Sequence, residues 1–157
     1  MLLLEQPNGD FAVTIARQLF NSAFELQFFE ELSNSKDETL AALAVKCLKE
    51  VKYHWRHAQD WLERLGDGTE ESHSRIQKGL NDLWMYTGEL FEIDEVEVML
   101  IEEGIAVDSS KLRDGWNTKI SEAIQKATLS VPISGYLQTG GRNGVHTESL
   151  GFLLAEL

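Results

Sequence analysis

Residues 38–65 form a helix-like run that reads ETLAALAVKCLKEVKYHWRHAQDWLERL. Four residues in this run recur at spacings of three and four: Glu50, His54, His57 and Trp61. A helix places residues with this spacing on one face. The stripe therefore indicates either what remains of a metal-binding bundle helix or a polar seam whose groups hydrogen-bond to one another.

The whole sequence predicts a single all-α domain covering residues 1–157. The length of 157 residues suits one domain, and 43% of the residues are hydrophobic, which is enough for a core. Proline occurs only at Pro7 and Pro132, and the long segments have helical rather than alternating periodicity. We expect bundle helices over about residues 10–129 and an extended, glycine-rich tail over about residues 130–157 with at most one short turn.

Capping residues and breaks in the apolar pattern predict five helices. Asp10 is the expected N-cap of the first helix, and Thr69 that of the third. The expected bounds are Asp10 to Ser33, Ser35 or Asp37 to Gly66, Glu70 to Phe91, Ile93 to Glu103, and Asp108 or Ser109 to Leu129.

The formal net charge is −12, from 26 acidic and 14 basic residues. A surface this negative repels phosphate backbones and anionic lipids, so binding to nucleic acid or to a membrane is disfavoured. Docking on a basic protein partner is compatible with the charge. No apolar run in the sequence approaches the roughly 20 residues that a membrane span needs.

The N-terminal sequence and the cysteine usage predict a cytoplasmic protein. Cys47 is the single cysteine and lies among apolar residues of the second predicted helix, as is typical of a buried thiol in an intracellular protein. The first residues, Met-Leu-Leu-Leu-Glu, lack the basic region of a signal peptide.

The inward-facing carboxylates and histidines do not complete a di-iron site. Such bundles take a Glu from each of two helices and a Glu-x-x-His from each of two others. Glu50 and His54 are four residues apart instead of three, and the fifth predicted helix has no histidine. Further inward candidates are Glu25 and Glu89. A single metal ion could instead be held by Glu50, His54, His57 and Asp60.

The polar-seam interpretation requires no metal. Glu50 and His54 at positions i and i+4 are expected to hydrogen-bond directly, a contact that adds roughly 0.2–0.5 kcal/mol. His57 is expected to pack on Trp61. We regard this interpretation as the stronger of the two.

The tail contains the run GGRNGVHTE at residues 140–148. It lacks the Lys-Ser/Thr of a P-loop and follows no strand, so nucleotide binding is disfavoured. We interpret it as a flexible arm that orders on a partner subunit, with a plain surface loop as the alternative. The expected partner contacts are Arg142, His146 and Glu148.

Five longer strings resemble one known family. The strings are LEQPNGDFA (4–12), WLERLGDGT (61–69), ELF (89–91), EEGIAVD (102–108) and TGGRNGVHTESLG (139–151). They are spread over nearly the whole chain in the family's order. In these strings the chain resembles the PaaC-type structural subunits of bacterial phenylacetyl-CoA epoxidase.

The resemblance implies a ferritin-like fold and a non-catalytic role. It further implies a homologous catalytic A-type subunit as partner in a hetero-oligomer. That subunit would hold a di-iron centre and use O₂ and NADPH-derived electrons to epoxidise the ring of phenylacetyl-CoA. No catalytic residue, metal ligand or bound cofactor is transferred to this chain. Family members begin upstream of Leu4, so we expect a fragment that lacks the family's N-terminal helices.

Two alternatives remain open at this point. The chain could be a metal-dependent ferritin-like oxidase or oxygenase that uses Glu25, Glu50, His54 and Glu89. It could also be an isolated fragment of the structural subunit with no function of its own.

Overall fold

The computed structural model describes residues 1–133 and 135–155. Within these residues every regular element is helical. The α-helices are α1 (Leu2–Glu5), α2 (Phe11–Leu32), α3 (Glu38–Gly66), α4 (Glu70–Trp84), α5 (Glu95–Glu102), α6 (Arg113–Lys126) and α7 (Ser149–Ala155), with 3-10 turns at Gly88–Phe91, Ser109–Leu112 and Gly141–Asn143. The predicted all-α, ferritin-like helical bundle is confirmed.

Hydrogen bonds within one helical turn explain where α2, α3 and α4 begin. The Asp10 carboxylate accepts a hydrogen bond from the Val13 backbone N–H at 3.0 Å. The Asp37 carboxylate caps α3 in the same way, and the Thr69 hydroxyl caps α4. Each cap pairs N–H groups that have no partner inside the helix. The N-caps predicted at Asp10 and Thr69 are confirmed, and of the two predicted starts of the second helix, Ser35 and Asp37, the structure has Asp37.

The third predicted helix is shorter than expected, because α4 ends at Trp84 and not at Phe91. The Thr87 N–H donates to the Trp84 carbonyl, three residues back, at 3.1 Å. The Thr87 hydroxyl donates to the same carbonyl at 2.8 Å. These short-range bonds compete with the α-helical pattern, and the chain continues as the 3-10 turn Gly88–Phe91.

The last predicted bundle helix is also shorter than expected. It starts as the 3-10 turn Ser109–Leu112, and α6 then ends at Lys126. The N–H groups of Thr128 and Leu129 turn back to carbonyls in the last turn of α6, the pattern of a Schellman C-cap. Thr128 has φ 60, a left-handed conformation that glycine usually supplies. The end of α6 is therefore set by a non-glycine C-cap that the sequence does not reveal.

Two short helices lie where none was predicted. Leu2–Glu5 forms α1, and its Leu2 and Leu3 are buried. The tail forms the 3-10 turn Gly141–Asn143 and the helix Ser149–Ala155, so the expectation of an extended tail with at most one short turn is wrong. Helices α1 and α7 contact each other. Elements this short show no periodicity in the sequence.

The core forms around α2, which packs against α3, α4 and α6. The buried indole of Trp116, on α6, has its ring centroid 5.6 to 5.8 Å from those of Phe20, Trp84 and Phe91. The indole N–H of Trp116 donates to the Phe20 carbonyl at 3.0 Å. This aromatic cluster joins α2, α4, α6 and the turn Gly88–Phe91.

The C-terminal end of α3 is held against α6 at a glycine. Gly66 is buried, and a Cβ built on it would lie 2.1 Å from the backbone carbonyl oxygen of Ala127. The Gly66 carbonyl also lies 2.7 Å from the ring Nδ1 of His73, on α4. Three helices therefore meet at a point where there is no space for a side chain.

We predict that Gly66→Ala destabilises the fold by about 1–3 kcal/mol, because the added methyl group would clash with backbone that has no free space to move into. The matched control is Gly115→Ala, in the first turn of α6, where the nearest atom to the added Cβ is the Oε1 of the Gln27 side chain. That side chain can rotate, so the control should be neutral or gain about 0.5–1 kcal/mol of helix stability. Urea unfolding followed by circular dichroism measures both. Equal free energies of unfolding for the two variants would contradict the prediction.

Candidate functional site

The stripe of Glu50, His54, His57 and Trp61 lies on the flank of α3 and not on its buried face. Residues such as Val51 supply the buried face, which is about 100° around the helix from the stripe at 100° per residue. Glu50 is exposed, and the two histidines are half-buried. The spacing correctly predicts a shared face but not that the face lies beside solvent.

The hydrogen bond expected between Glu50 and His54 is not formed among the described residues, so the polar-seam interpretation is wrong in its main contact. Tyr53 lies next to both histidines instead, with ring centroids 6.1 Å from each. Trp61 packs edge-on against Phe11 at 5.0 Å. An exposed carboxylate has water as a partner and gains little from a histidine one turn away.

The candidate metal ligands do not come together. Among residues 1–133 and 135–155, no group of three or more His, Cys, Asp or Glu side chains could hold a metal ion. Glu25 is half-buried on α2, Glu50 is exposed on α3 and Glu89 is buried in the turn after α4. The donors among the described residues therefore do not fit a di-iron centre, which needs several carboxylates and two imidazoles around one point.

Glu89 is the one candidate ligand whose side chain is fully enclosed. It is 1% exposed, as its apolar flanking residues predicted. Its Oε2 accepts a hydrogen bond from the Leu2 N–H at 3.2 Å, while Oε1 has no hydrogen-bond partner among the described residues. A Cβ built on Gly141 would lie 2.2 Å from that Oε1. The tail backbone thus closes directly over the carboxylate.

A second buried carboxylate, Glu5, lies in the same region and was missed by sequence reasoning. It is 3% exposed. Its Oε2 accepts hydrogen bonds from the Thr147 N–H at 2.9 Å and from the Thr147 hydroxyl at 3.2 Å. Its Oε1 lies 2.9 Å from Nδ1 of His146. We call Glu5, Glu89, Gly141, His146 and Thr147 the carboxylate junction.

The hydrogen bonds at the junction favour the ionised form of Glu5. Burial by itself would raise the pKa of Glu5. The hydrogen bonds from the Thr147 backbone, from His146 and from the Thr147 hydroxyl outweigh burial, so the pKa of Glu5 is lowered from its ordinary value. A carboxylate with three donors from one segment holds that segment in place.

Two predicted partner-contact residues are engaged within the chain. Arg142 forms a hydrogen-bonded ion pair with Glu97, and that bond raises the pKa of Arg142. His146 contacts Glu5, and Glu148 is exposed. Contact of Arg142, His146 or Glu148 with a partner subunit stays a prediction. What the structure adds is that the first two hold the tail against the bundle.

The side chains of the carboxylate junction stabilise the fold. Its two carboxylates accept hydrogen bonds from backbone and side-chain groups of the chain's own ends. The signal for Glu89 was its apolar surroundings in sequence. The signal for Glu5 was weaker, a single acid after three leucines.

No helix in the described part of the chain is long and apolar enough to cross a bilayer.

Comparison with known proteins identifies the family. The family model described as phenylacetic acid catabolic protein matches residues 1–157, the whole of the sequence. The chain belongs to the phenylacetic acid catabolic protein family.

One curated relative within the phenylacetic acid catabolic protein family is 49% identical to this chain over 157 residues. It is the C-type subunit of 1,2-phenylacetyl-CoA epoxidase from Escherichia coli (strain K12). The alignment covers 100% of this chain and 63% of the relative, so the chain spans less than two thirds of the relative's length. The resemblance inferred from the five sequence strings is confirmed.

We predict that Glu5→Gln lowers the hydrogen-exchange protection of the tail amides and makes that protection less dependent on pH. Because folding lowers the pKa of Glu5, the ionised group stabilises the docked tail above the ordinary glutamate pKa, and this stabilisation is lost as the pH falls through the folded value. Hydrogen bonds to a charged group contribute about 1.5–3 kcal/mol. Hydrogen exchange of the residue 141–150 amides at pH 7 and at about pH 3, below the ordinary glutamate pKa by more than one unit, measures the effect.

The matched control is Glu148→Gln, which removes an exposed carboxylate from the same tail. Wild type and the control should show protected tail amides at pH 7 and faster exchange, corrected for intrinsic rates, at about pH 3. Glu5→Gln should show fast exchange at both. Equal protection in the two variants at pH 7 would rule out Glu5 as the group that holds the tail.

Proposed function

We propose that the full-length protein is a non-catalytic structural subunit of a multicomponent phenylacetyl-CoA ring epoxidase in aerobic phenylacetate catabolism. The observation that carries the proposal is the 49% identity, over every residue of this chain, to a relative named as the C-type subunit of such an epoxidase. At this level of identity the fold is shared, and the role is inferred from the relative's name.

The donor set of the chain supports a structural rather than a catalytic role. If this chain were itself a metal-dependent oxidase, its ligands would be Glu25, Glu50, His54 and Glu89. These residues form no metal-binding group among the described residues. The buried member, Glu89, accepts a hydrogen bond from the chain's own backbone. A carboxylate used in this way stabilises the fold. The di-iron centre is proposed to belong to a homologous catalytic A-type subunit.

The proposed mode of action is support of that catalytic subunit by contact in a hetero-oligomer. Ferritin-like bundles bury one face of each long helix and leave others free for a neighbour. The formal charge of −12 favours a partner with a basic contact surface and speeds the encounter between the two.

Co-expression with the catalytic A-type subunit tests the proposal. We expect the two chains to co-purify. Epoxidation of phenylacetyl-CoA should require the catalytic chain together with a separate reductase subunit that supplies the NADPH-derived electrons. The full-length structural subunit alone should have no turnover. A catalytic subunit that is fully stable and active without this protein would overturn the proposal.

Metal analysis of the full-length protein purified alone, after expression with added iron, gives a separate prediction. We expect far less than one iron per chain, and no difference between wild type and His54→Ala, because His54 belongs to no metal-binding group in the described part of the chain. Stoichiometric iron that disappears in His54→Ala would favour the alternative, an oxidase in its own right.

A further inference from the structure

Helix α5 presents its apolar residues to solvent. None of its eight residues, all within the described part of the chain, is buried. Val96 and Met99 are each 59% exposed, and Leu100 is 36% exposed. These three residues share one face, since they lie at positions i, i+3 and i+4. A helix of this kind in a globular protein normally turns that face to the core, so the orientation of α5 is the opposite of the usual one.

The helix is nevertheless firmly built. Asp94 and Glu97 form a capping box at its start, in which each side chain pairs with the other residue's backbone N–H. At its end, Gly104 has φ 76, and the N–H groups of Gly104 and Ile105 donate to carbonyls of the last turn, as in a glycine C-cap. Isolated helices of this length are unstable in water. These caps therefore maintain a helix that buries little of its own surface.

The inner side of α5 is attached to the rest of the chain by polar contacts. Glu97 pairs with Arg142 of the tail. The Gly104 carbonyl accepts a hydrogen bond from the Lys36 N–H at 2.9 Å, and the Ile105 carbonyl accepts one from the Ser35 hydroxyl at 2.7 Å. These bonds orient the helix, so that its apolar face points outward.

Carboxylates surround this apolar face. Residues 92–103 contain six acidic and no basic residues: Glu92, Asp94, Glu95, Glu97, Glu102 and Glu103. Only Glu97 among them is in an ion pair in the described part of the chain. The remaining five make a negative fringe around the aliphatic residues. A surface of this composition is complementary to an aliphatic groove bordered by Lys and Arg.

A groove beside the helix is lined by acidic residues, as the apolar face of α5 is. It has a volume of about 680 Å³ and lies between residues 92–96 and residues 139–143. Glu92, Asp94 and Glu95 line it together with Arg142, whose charge is already paired with Glu97. The groove therefore keeps a net negative lining that suits a long cationic side chain from a partner.

We propose that the face of α5 formed by Val96, Met99 and Leu100, which we call the α5 docking face, inserts into an aliphatic groove bordered by basic residues on the catalytic subunit. This inference rests on the proposed function, which supplies the partner. A second copy of this chain is a poor occupant, because two such faces would bring like-charged fringes together. Anionic lipid is disfavoured for the same reason.

The test uses the full-length protein and the purified catalytic A-type subunit. Val96→Glu/Met99→Glu adds two charges to the α5 docking face. The matched control, Leu43→Glu/Val45→Glu, adds two charges at positions of α3 that are 51% and 53% exposed. We expect the Kd of the complex to rise at least about ten-fold for the α5 variant, the scale of a contact at the centre of an interface, and less than about two-fold for the control.

Thermal unfolding of the isolated variants accompanies the binding measurement. A solvent-exposed α5 docking face predicts unchanged Tm values for the α5 variant. A large fall in Tm would show that the protein's own chain covers the face, and it would overturn the inference. An unchanged Kd for the α5 variant, in an assay in which wild type binds the catalytic subunit, would also overturn the inference. If wild type itself does not bind, the proposed function fails and not the location of the face alone.

Salt and charge reversal give a third readout. Glu95→Lys/Glu102→Lys should slow association and reduce its dependence on ionic strength, because these side chains belong to the fringe that steers the partner. Association rates and salt dependence equal to those of wild type would contradict the basic partner surface.

Discussion

The packing of this bundle depends on the burial of Trp116. A buried indole must pair its N–H group while its ring fills apolar space. Trp116 does both, since it donates to the Phe20 carbonyl at 3.0 Å and contacts three aromatic rings. The carbonyl belongs to the middle of α2, so the contact fixes the position of α6 along α2 as well as its distance. A helix could slide along an apolar surface, but not past a single directed hydrogen bond.

The same cluster positions the carboxylate junction. The ring centroid of Phe91 lies 5.6 Å from that of Trp116, and the Arg113 guanidinium lies over the Phe91 ring, 4.6 Å from its centroid. The turn Gly88–Phe91 is thereby held between α6 and the core. Glu89 lies in that turn and is brought under Gly141. The aromatic core therefore sets the position of Glu89, one of the two carboxylates beneath the tail, through one short 3-10 turn.

The junction also shows how hydrogen bonds from the chain itself can pair a buried carboxylate. An ionised group in an apolar interior is costly unless hydrogen bonds pair it. Glu5 has three such bonds from two consecutive residues of the tail, while Glu89 has one bond and, among the described residues, an unpaired oxygen. Glu5 is therefore the stronger tie between the two ends of the described chain. This use of carboxylates for structure fits the supporting role proposed for the family member.

The sequence alone was sufficient for features that depend on neighbouring residues. The all-α class, the N-caps at Asp10 and Thr69, and the enclosed position of Glu89 could be predicted, because caps act within one turn and apolar spacing is local. Tertiary packing was needed to place the Glu50 and His54 stripe beside solvent and to order the tail. Helical spacing tells which residues share a face but not what that face meets. Glu5 and Thr147 are 142 positions apart, and only the folded chain brings them together.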